Sequence, residues 1–384
     1  MASEIDLKLV TATPVSEGVD ERTLERLDAM IESHIDRGWY PGAAIAMARR
    51  GKLIRSTTYG LARSVAAGSA ADVPADSDSL WLLYSQTKPV LSSVVWVLVE
   101  RGLLRWHDLV ADYVPEFAAH GKGEITLSQI LTHQAGFPSA VLDENAWEEH
   151  AEMRRQVCAF TLEWTPGSRV AYHGASGHWV QAMLIEAVTG RDYRQVAREL
   201  VLDPLGLGEI HIGVPDAMHP RTVGAYARDA AGQHQLLPDR NKPEFWRAGI
   251  PGGGGYATAV GIATFYQMLL QLGQLHGSRI LGPRTVQYVT RNHTQERIDE
   301  RFGMPMHRGL GVHVRGETPM IRGLGSTAAP STYGHGGVGT SYSWADPTTQ
   351  TSFTYLTNSQ LPEPLHSQRL DEVMNLAHAS VVEV

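Results

Sequence analysis

Apolar positions recur along this chain with two different periods. Between residues 21 and 37, Leu24, Leu27, Met30, Ile31 and Ile35 fall at helical spacing and Gly38 ends the run, which predicts an amphipathic helix. Residues 42–48 and 52–59 read as two strands, and the short link 49–51 makes them a hairpin. A polar loop, 62–79, carries the chain to a stretch of another kind, LWLLYSQTKPVLSSVVWVLVERG (80–102). Its 90–101 segment is apolar on almost every face, the pattern of a helix buried in the middle of a large fold. Ser92 and Ser93 interrupt it, and it falls short of the ~20 apolar residues that a bilayer requires.

The later segments are mixed. Residues 125–138 predict a short helix with Ser128 near its start and a stop at Gly136, and His133 beside that glycine turn reads as structural. A polar helical stretch follows at 144–163, suited to a rim. Within 164–190 a Pro-Gly turn leads through a short extended piece to Tyr172, and a helix follows from about 176 to 188. Residues 200–210 read as a helix end and a tight turn. The 251–275 segment opens with four glycines and continues as a capped helix; the Lys-Ser/Thr ending of a phosphate loop is missing, so these glycines read as permitting close backbone packing. GLGVHVR, SYSWADP and TSFTYLTN read as antiparallel strands with a turn at 347–350, and a last helix spans 362–381. The expected fold is α/β (α+β): one antiparallel sheet drawn from both chain ends, flanked by helices, with an inserted all-helical subdomain. We expect one catalytic domain over 1–384, its α/β part formed by about 1–79 and 251–384 and its helical middle by about 80–250.

Composition narrows the function classes. The chain has 384 residues, 43% of them hydrophobic, which supports a sizeable core. A formal net charge of −8 argues against nucleic acid as a partner, and no segment suggests a membrane. The single cysteine, Cys158, excludes an internal disulfide. The first residues show no apolar leader, so a cytoplasmic location is expected. Seventeen histidines occur without H-E-x-x-H or C-x-x-C spacing, so neither a metal nor another cofactor is expected. Oligomeric state leaves no mark in the sequence.

The candidate chemistry lies in the 80–102 stretch. If the helix begins near Ser85, the Ser85 hydroxyl and the Lys88 ammonium share one side of its first turn. A serine attacks poorly until a base takes its proton, and a lysine can serve only if burial or nearby positive charge lowers its pKa. Of the five lysines only Lys88 has a serine three residues before it. Tyr84, Phe137, Trp147, Trp246 and Phe302 are possible cleft residues, each better read as core.

SQTKPV before an apolar helix, then ILTHQAGFP, WTPGSRVAYHG, DPLGL, GGGGYATAVGIATF and GHGGVGTSYSWADP follow one another along nearly the whole chain. In that order they resemble the serine β-lactamase and penicillin-binding-protein superfamily, and within it the class C-like esterase branch. The resemblance implies Ser85 as the acyl-forming nucleophile, Lys88 as its base, and Tyr172 as a partner in the proton relay. It implies that His335, Gly336 and Gly337 lie where penicillin-binding members have Lys-Thr-Gly, with the backbone N–H groups of Ser85 and Val338 as the oxyanion hole. Two departures bear on substrate: Gly174 replaces the asparagine of the Tyr-x-Asn motif, and His335 replaces the lysine that attracts a substrate carboxylate. The expectation is a serine esterase acting on a small-molecule ester or acyl substrate through an acyl-enzyme. Alternatives are an acyltransferase of the same fold, a D-aminopeptidase or weak β-lactamase, and a binding or assembly protein without catalysis. No G-x-S-x-G elbow occurs, which removes the α/β-hydrolase fold.

Overall fold

The hairpin at the start of the chain is the centre of the sheet. In the structure, a computed structural model that describes residues 9–318 and 323–383, eight strands form the main sheet. They are β1 (Val10–Thr11), β2 (Gly42–Arg49), β3 (Lys52–Arg63), β4 (Val73–Pro74), β5 (His313–Val314), β6 (Tyr333–Gly336), β7 (Tyr342–Asp346) and β8 (Thr351–Thr357). Their order is β1-β3-β2-β8-β7-β6-β5, with β4 paired to β3. Every pairing is antiparallel except β1 with β3. Strands from both chain ends meet at β2 and β8, where Ile45 faces Tyr355 and Met47 faces Phe353.

All eight residues of β2 are buried, so both faces of the sheet are covered. Ala43, Ile45 and Met47 point to one side, and Ala44, Ala46 and Ala48 to the other, as the two-residue period of a strand requires. The first side is packed by α1 (Glu21–Asp36) and by a helix from the opposite chain end, Leu365–Ala379, through Leu27, Ile31, Val373 and Met374. On the second side lie α2 (Thr87–Glu100), α3 (Ser176–Thr189) and α4 (Ala259–Leu270), after which the C-terminal helix is α5. The small alanines of β2 let α4 lie close to the sheet.

From Thr87 to Leu98 every residue of α2 is buried, as its apolar faces predict. Its serines are satisfied internally: Ser93 Oγ donates to Val90 O at 2.6 Å and Ser92 Oγ to Gln181 Oε1 on α3 at 3.0 Å. Two expected elements differ in detail. β3 continues to Arg63 into the expected polar loop because Val73–Pro74 pairs with its end. The 144–163 stretch contains one helix, His150–Cys158, preceded by a single turn at Glu144–Ala146.

Candidate active site

A strained turn delivers Ser85 to the front of α2. Trp81 and Leu82 pair with Ala257 and Tyr256, and the chain then tightens into a 3-10 turn over Tyr84–Gln86. Tyr84 has φ 47°, a left-handed conformation that costs a side-chain-bearing residue roughly 1–2 kcal/mol. Neighbours hold it there. Thr87 Oγ1 donates to Tyr84 O at 2.7 Å and accepts the Gly255 N–H at 2.9 Å, while the Ser343 hydroxyl on β7 donates to the Gln86 side chain. A Cβ at Gly255 would stand 2.8 Å from Thr87 Oγ1, so this glycine is required for close approach, in agreement with the sequence reading of the glycine run.

Lys88 lies one turn further and is completely buried. Its Nζ is 3.2 Å from Ser85 Oγ, 2.7 Å from Gly174 O and 2.5 Å from Gly252 O. Burial, with added repulsion from Arg308 and Arg301, lowers its pKa to about 7. An uncharged amine has two hydrogens and one lone pair. Two carbonyl oxygens take the hydrogens, which leaves the lone pair for the Ser85 hydroxyl.

Tyr172 completes the group. Its ring lies 5.3 Å from Lys88 Nζ; burial raises the pKa of its phenol, and a hydrogen bond with Ser85 opposes that rise. The segment carrying it is clamped on both sides: His133 O accepts the Ala171 N–H at 3.1 Å and His133 Nδ1 accepts the His173 N–H at 3.0 Å. His133, whose ring centroid is 4.7 Å from that of Tyr172, thus holds the loop in place. Behind Tyr172, Asp299 Oδ1 accepts its backbone N–H at 3.2 Å and Oδ2 accepts from Arg308 Nη2 at 2.5 Å. Arg308 and Asp299 form a buried ion pair, and the guanidinium lies 5.1 Å from the Tyr172 ring centroid.

These groups open into a cleft of about 460 Å³. Ser85 and Tyr172 line it together with His335, Gly336, Gly337 and Val338, with Lys88 beneath the floor, so the structure brings the candidate catalytic and oxyanion-hole residues to one place. At Gly337 a Cβ would stand 2.8 Å from Thr340 Oγ1 and 3.0 Å from Leu83 O, so the absence of a side chain lets the end of β6 lie against the Ser85 turn. Val338 is 58% exposed at the rim. His335 is buried, its Nδ1 is 2.9 Å from Gly336 O, and burial followed by the charge of Lys88 pushes its pKa well down, so the imidazole is neutral. A Cβ at Gly174 would meet nothing within 4 Å, so the space next to this backbone position is open.

Of the five aromatic residues weighed from sequence, Phe302 lines the cleft and the other four do not; Phe137 is fully buried in the core. Sequence reasoning missed Asp299, Arg301 and Arg308. Asp299 is 127 residues from Tyr172, and no local spacing announces a contact of that range. Among the described residues, one group has metal-compatible spacing, His150, Glu186 and Asp192. Its imidazole is already engaged, Nδ1 by Glu186 Oε1 at 2.6 Å and Nε2 by Arg194 at 3.2 Å.

Comparison with known proteins identifies the family. The family model described as Beta-lactamase matches residues 27–378. The "Esterase/beta-lactamase LipL" of Mycobacterium tuberculosis (strain ATCC 25618 / H37Rv) is 29% identical over 329 residues, covering 78% of this chain and 73% of that protein. Among solved structures, a penicillin-binding protein homologue from Caulobacter crescentus superposes with TM-score 0.79 at 28% identity, over 94% of this chain and 99% of that one. A family VIII carboxylesterase does so with TM-score 0.78 at 27% identity, over 93% and 98%. No helix of the described residues is long and apolar enough to cross a membrane. The chain belongs to the Beta-lactamase family and is an enzyme of its hydrolase fold.

Proposed function

We propose that this protein is a serine hydrolase that cleaves carboxylic esters through an acyl-enzyme on Ser85. The observation that carries the reading is the buried Lys88 amine, 3.2 Å from Ser85 Oγ with its pKa lowered to about 7. Neutral Lys88 takes the Ser85 proton as Oγ attacks the ester carbonyl. The tetrahedral oxyanion is held by the N–H groups of Ser85 and Val338, donors of a kind whose loss costs roughly 10²–10³ in kcat. As the C–O bond breaks, the proton on Lys88 passes by way of the Tyr172 phenol to the departing alkoxide, which leaves as the alcohol. Water then enters, gives a proton to Lys88 and attacks the acyl carbon; the acid departs and Ser85 regains its proton.

Gly174 and His335 support esters over amides. A neutral imidazole and an empty space stand where penicillin-recognising members carry a cation and an amide, so less binding energy is available for a poor leaving group. The esterase and carboxylesterase descriptions of two relatives favour the same reading. The test is hydrolysis of p-nitrophenyl butyrate together with fluorophosphonate labelling mapped by mass spectrometry. We expect the label on Ser85 and a fall of ~10³-fold or more in Ser85→Ala. A label elsewhere, or turnover retained in that variant, overturns the assignment.

A further inference from the structure

We propose that Arg301 makes the cleft selective for esters bearing a second, anionic group, a carboxylate on either the acyl or the alcohol side. The inference rests on the ester-hydrolase reading and extends it to a substrate class. Arg301 lines the same cleft as Ser85 and Tyr172, and its guanidinium carbon lies 5.8 Å from the Tyr172 ring centroid. Asp299 Oδ1 accepts its backbone N–H at 3.1 Å, which ties the base of this side chain to the support of Tyr172.

The other guanidinium over that ring, Arg308, is committed to Asp299. That of Arg301 is not committed: among the described residues it has no ion pair and no side-chain hydrogen bond. Its neighbour Glu300 is turned to Arg169 at 3.2 Å. Among the described residues one acid lines the cleft, Glu363, and its Oε2 accepts the Ser367 N–H at 3.1 Å. Burial keeps His335 and His366 on the lining neutral and raises the pKa of the Tyr172 phenol, so none of these three carries a charge that competes. Among the described residues Arg301 is therefore the one arginine or lysine on a lining otherwise rich in apolar groups such as Phe302, Met304 and Leu370. A planar guanidinium next to apolar surface suits a carboxylate at the end of a short hydrocarbon arm, which it can bind through two parallel N–H donors. The imidazole of His335, neutral through burial, offers no charge to an anion from the β6 side, and the cation stands beside Tyr172 instead.

The experiment compares kcat/KM for p-nitrophenyl butyrate, its anionic counterpart p-nitrophenyl hydrogen glutarate, and 4-carboxyphenyl butyrate set against phenyl butyrate. It is run on the full chain and on Arg301→Gln and Arg301→Glu, at low and high salt. We expect the wild type to favour one carboxylate-bearing ester over its neutral counterpart, and the glutamine variant to reduce that ratio about 10-fold. Preference for the glutarate places the carboxylate on the acyl side, and preference for the carboxyphenyl ester places it on the alcohol side. In Arg301→Glu the preference should reverse, and salt should weaken it in the wild type. Ratios near unity in the wild type, or an equal fall for charged and neutral esters in the variants, overturn the inference while ester hydrolysis stands. Failure of the wild type to hydrolyse any of these esters overturns both.

Discussion

A lysine inside an apolar core is stable only if it gives up its charge, and that requirement produces the chemistry. Among the described residues Lys88 has no ion-pair partner; its hydrogen-bond partners are two carbonyls and one hydroxyl. Its folded pKa of about 7 lies far below the ordinary 10.5, so the amine is protonated below about 7 and neutral above. The kcat/KM for a neutral ester should therefore climb about tenfold per pH unit on the acid side and level off above about 7. The buried histidines titrate lower, since burial depresses His133, His178 and His335, and the Tyr172 phenol titrates higher than usual. A rate profile over pH 5 to 9 checks this; a flat profile removes Lys88 as the base. The ion pair behind Tyr172 makes a second demand. Asp299→Ala leaves the Arg308 guanidinium buried without its partner, and we expect a loss of ~3–5 kcal/mol in urea unfolding, with a fall in kcat as Tyr172 loses its backbone anchor. Unchanged stability would mean that water or another acid replaces the carboxylate.

At the scale of elements, the site is a meeting of three pieces of backbone that only glycine allows to come so close. The three-residue strand Gly255–Ala257 pairs with Trp81–Leu82 before the nucleophile, and Gly252, just ahead of that strand, supplies a carbonyl to Lys88. On the opposite wall, β6 ends at Gly336 and Gly337 takes the chain past Leu83 and Tyr84. Gly337→Ala places a methyl against Thr340 and the Leu83 carbonyl and must push the rim outward. We expect kcat to fall on the order of 10²-fold, the effect of displacing one oxyanion donor, while KM for a small ester changes little. Steady-state kinetics beside a thermal melt separates this from unfolding; a full loss of activity with no folded protein would point to the sheet.

For the whole molecule, one sheet made from both chain ends means that neither end folds alone. α1 and α5 pack side by side over the face built by β2, β7 and β8, burying Leu24, Leu27, Ile31, Val373 and Met374 in one cluster. Ending the chain before Pro362 removes α5 and uncovers Trp344, Phe353 and Tyr355. With several large side chains returned to water at ~1.5–3 kcal/mol each, the truncated chain should show no cooperative unfolding transition by circular dichroism. A sharp melt would show that the rest of the chain carries its own stability. The joining of the chain ends was legible in the alternating strands near 42–59 and 341–358, since buried strands at both ends need partners. The extent of β3 was less legible, because its last residues are strand only through pairing with Val73–Pro74.

The sequence by itself determined the local chemistry: a hydroxyl and an amine three residues apart at the mouth of a helix with no polar face. It also supplied the small residues that let backbones approach, and both follow from spacing and side-chain size, which are local properties. Tyr172 was nameable only through resemblance, since a tyrosine between an extended piece and a helix reads equally well as a core plug. Tertiary structure alone decided that Lys88 would be neutral, because its carbonyl partners Gly174 and Gly252 are 86 and 164 residues away and the water around it is excluded by the packed fold. It alone placed Arg301, Arg308 and Asp299 beside Tyr172. A pKa is set by solvent and by charges near in space, and neither can be read from neighbours in the chain.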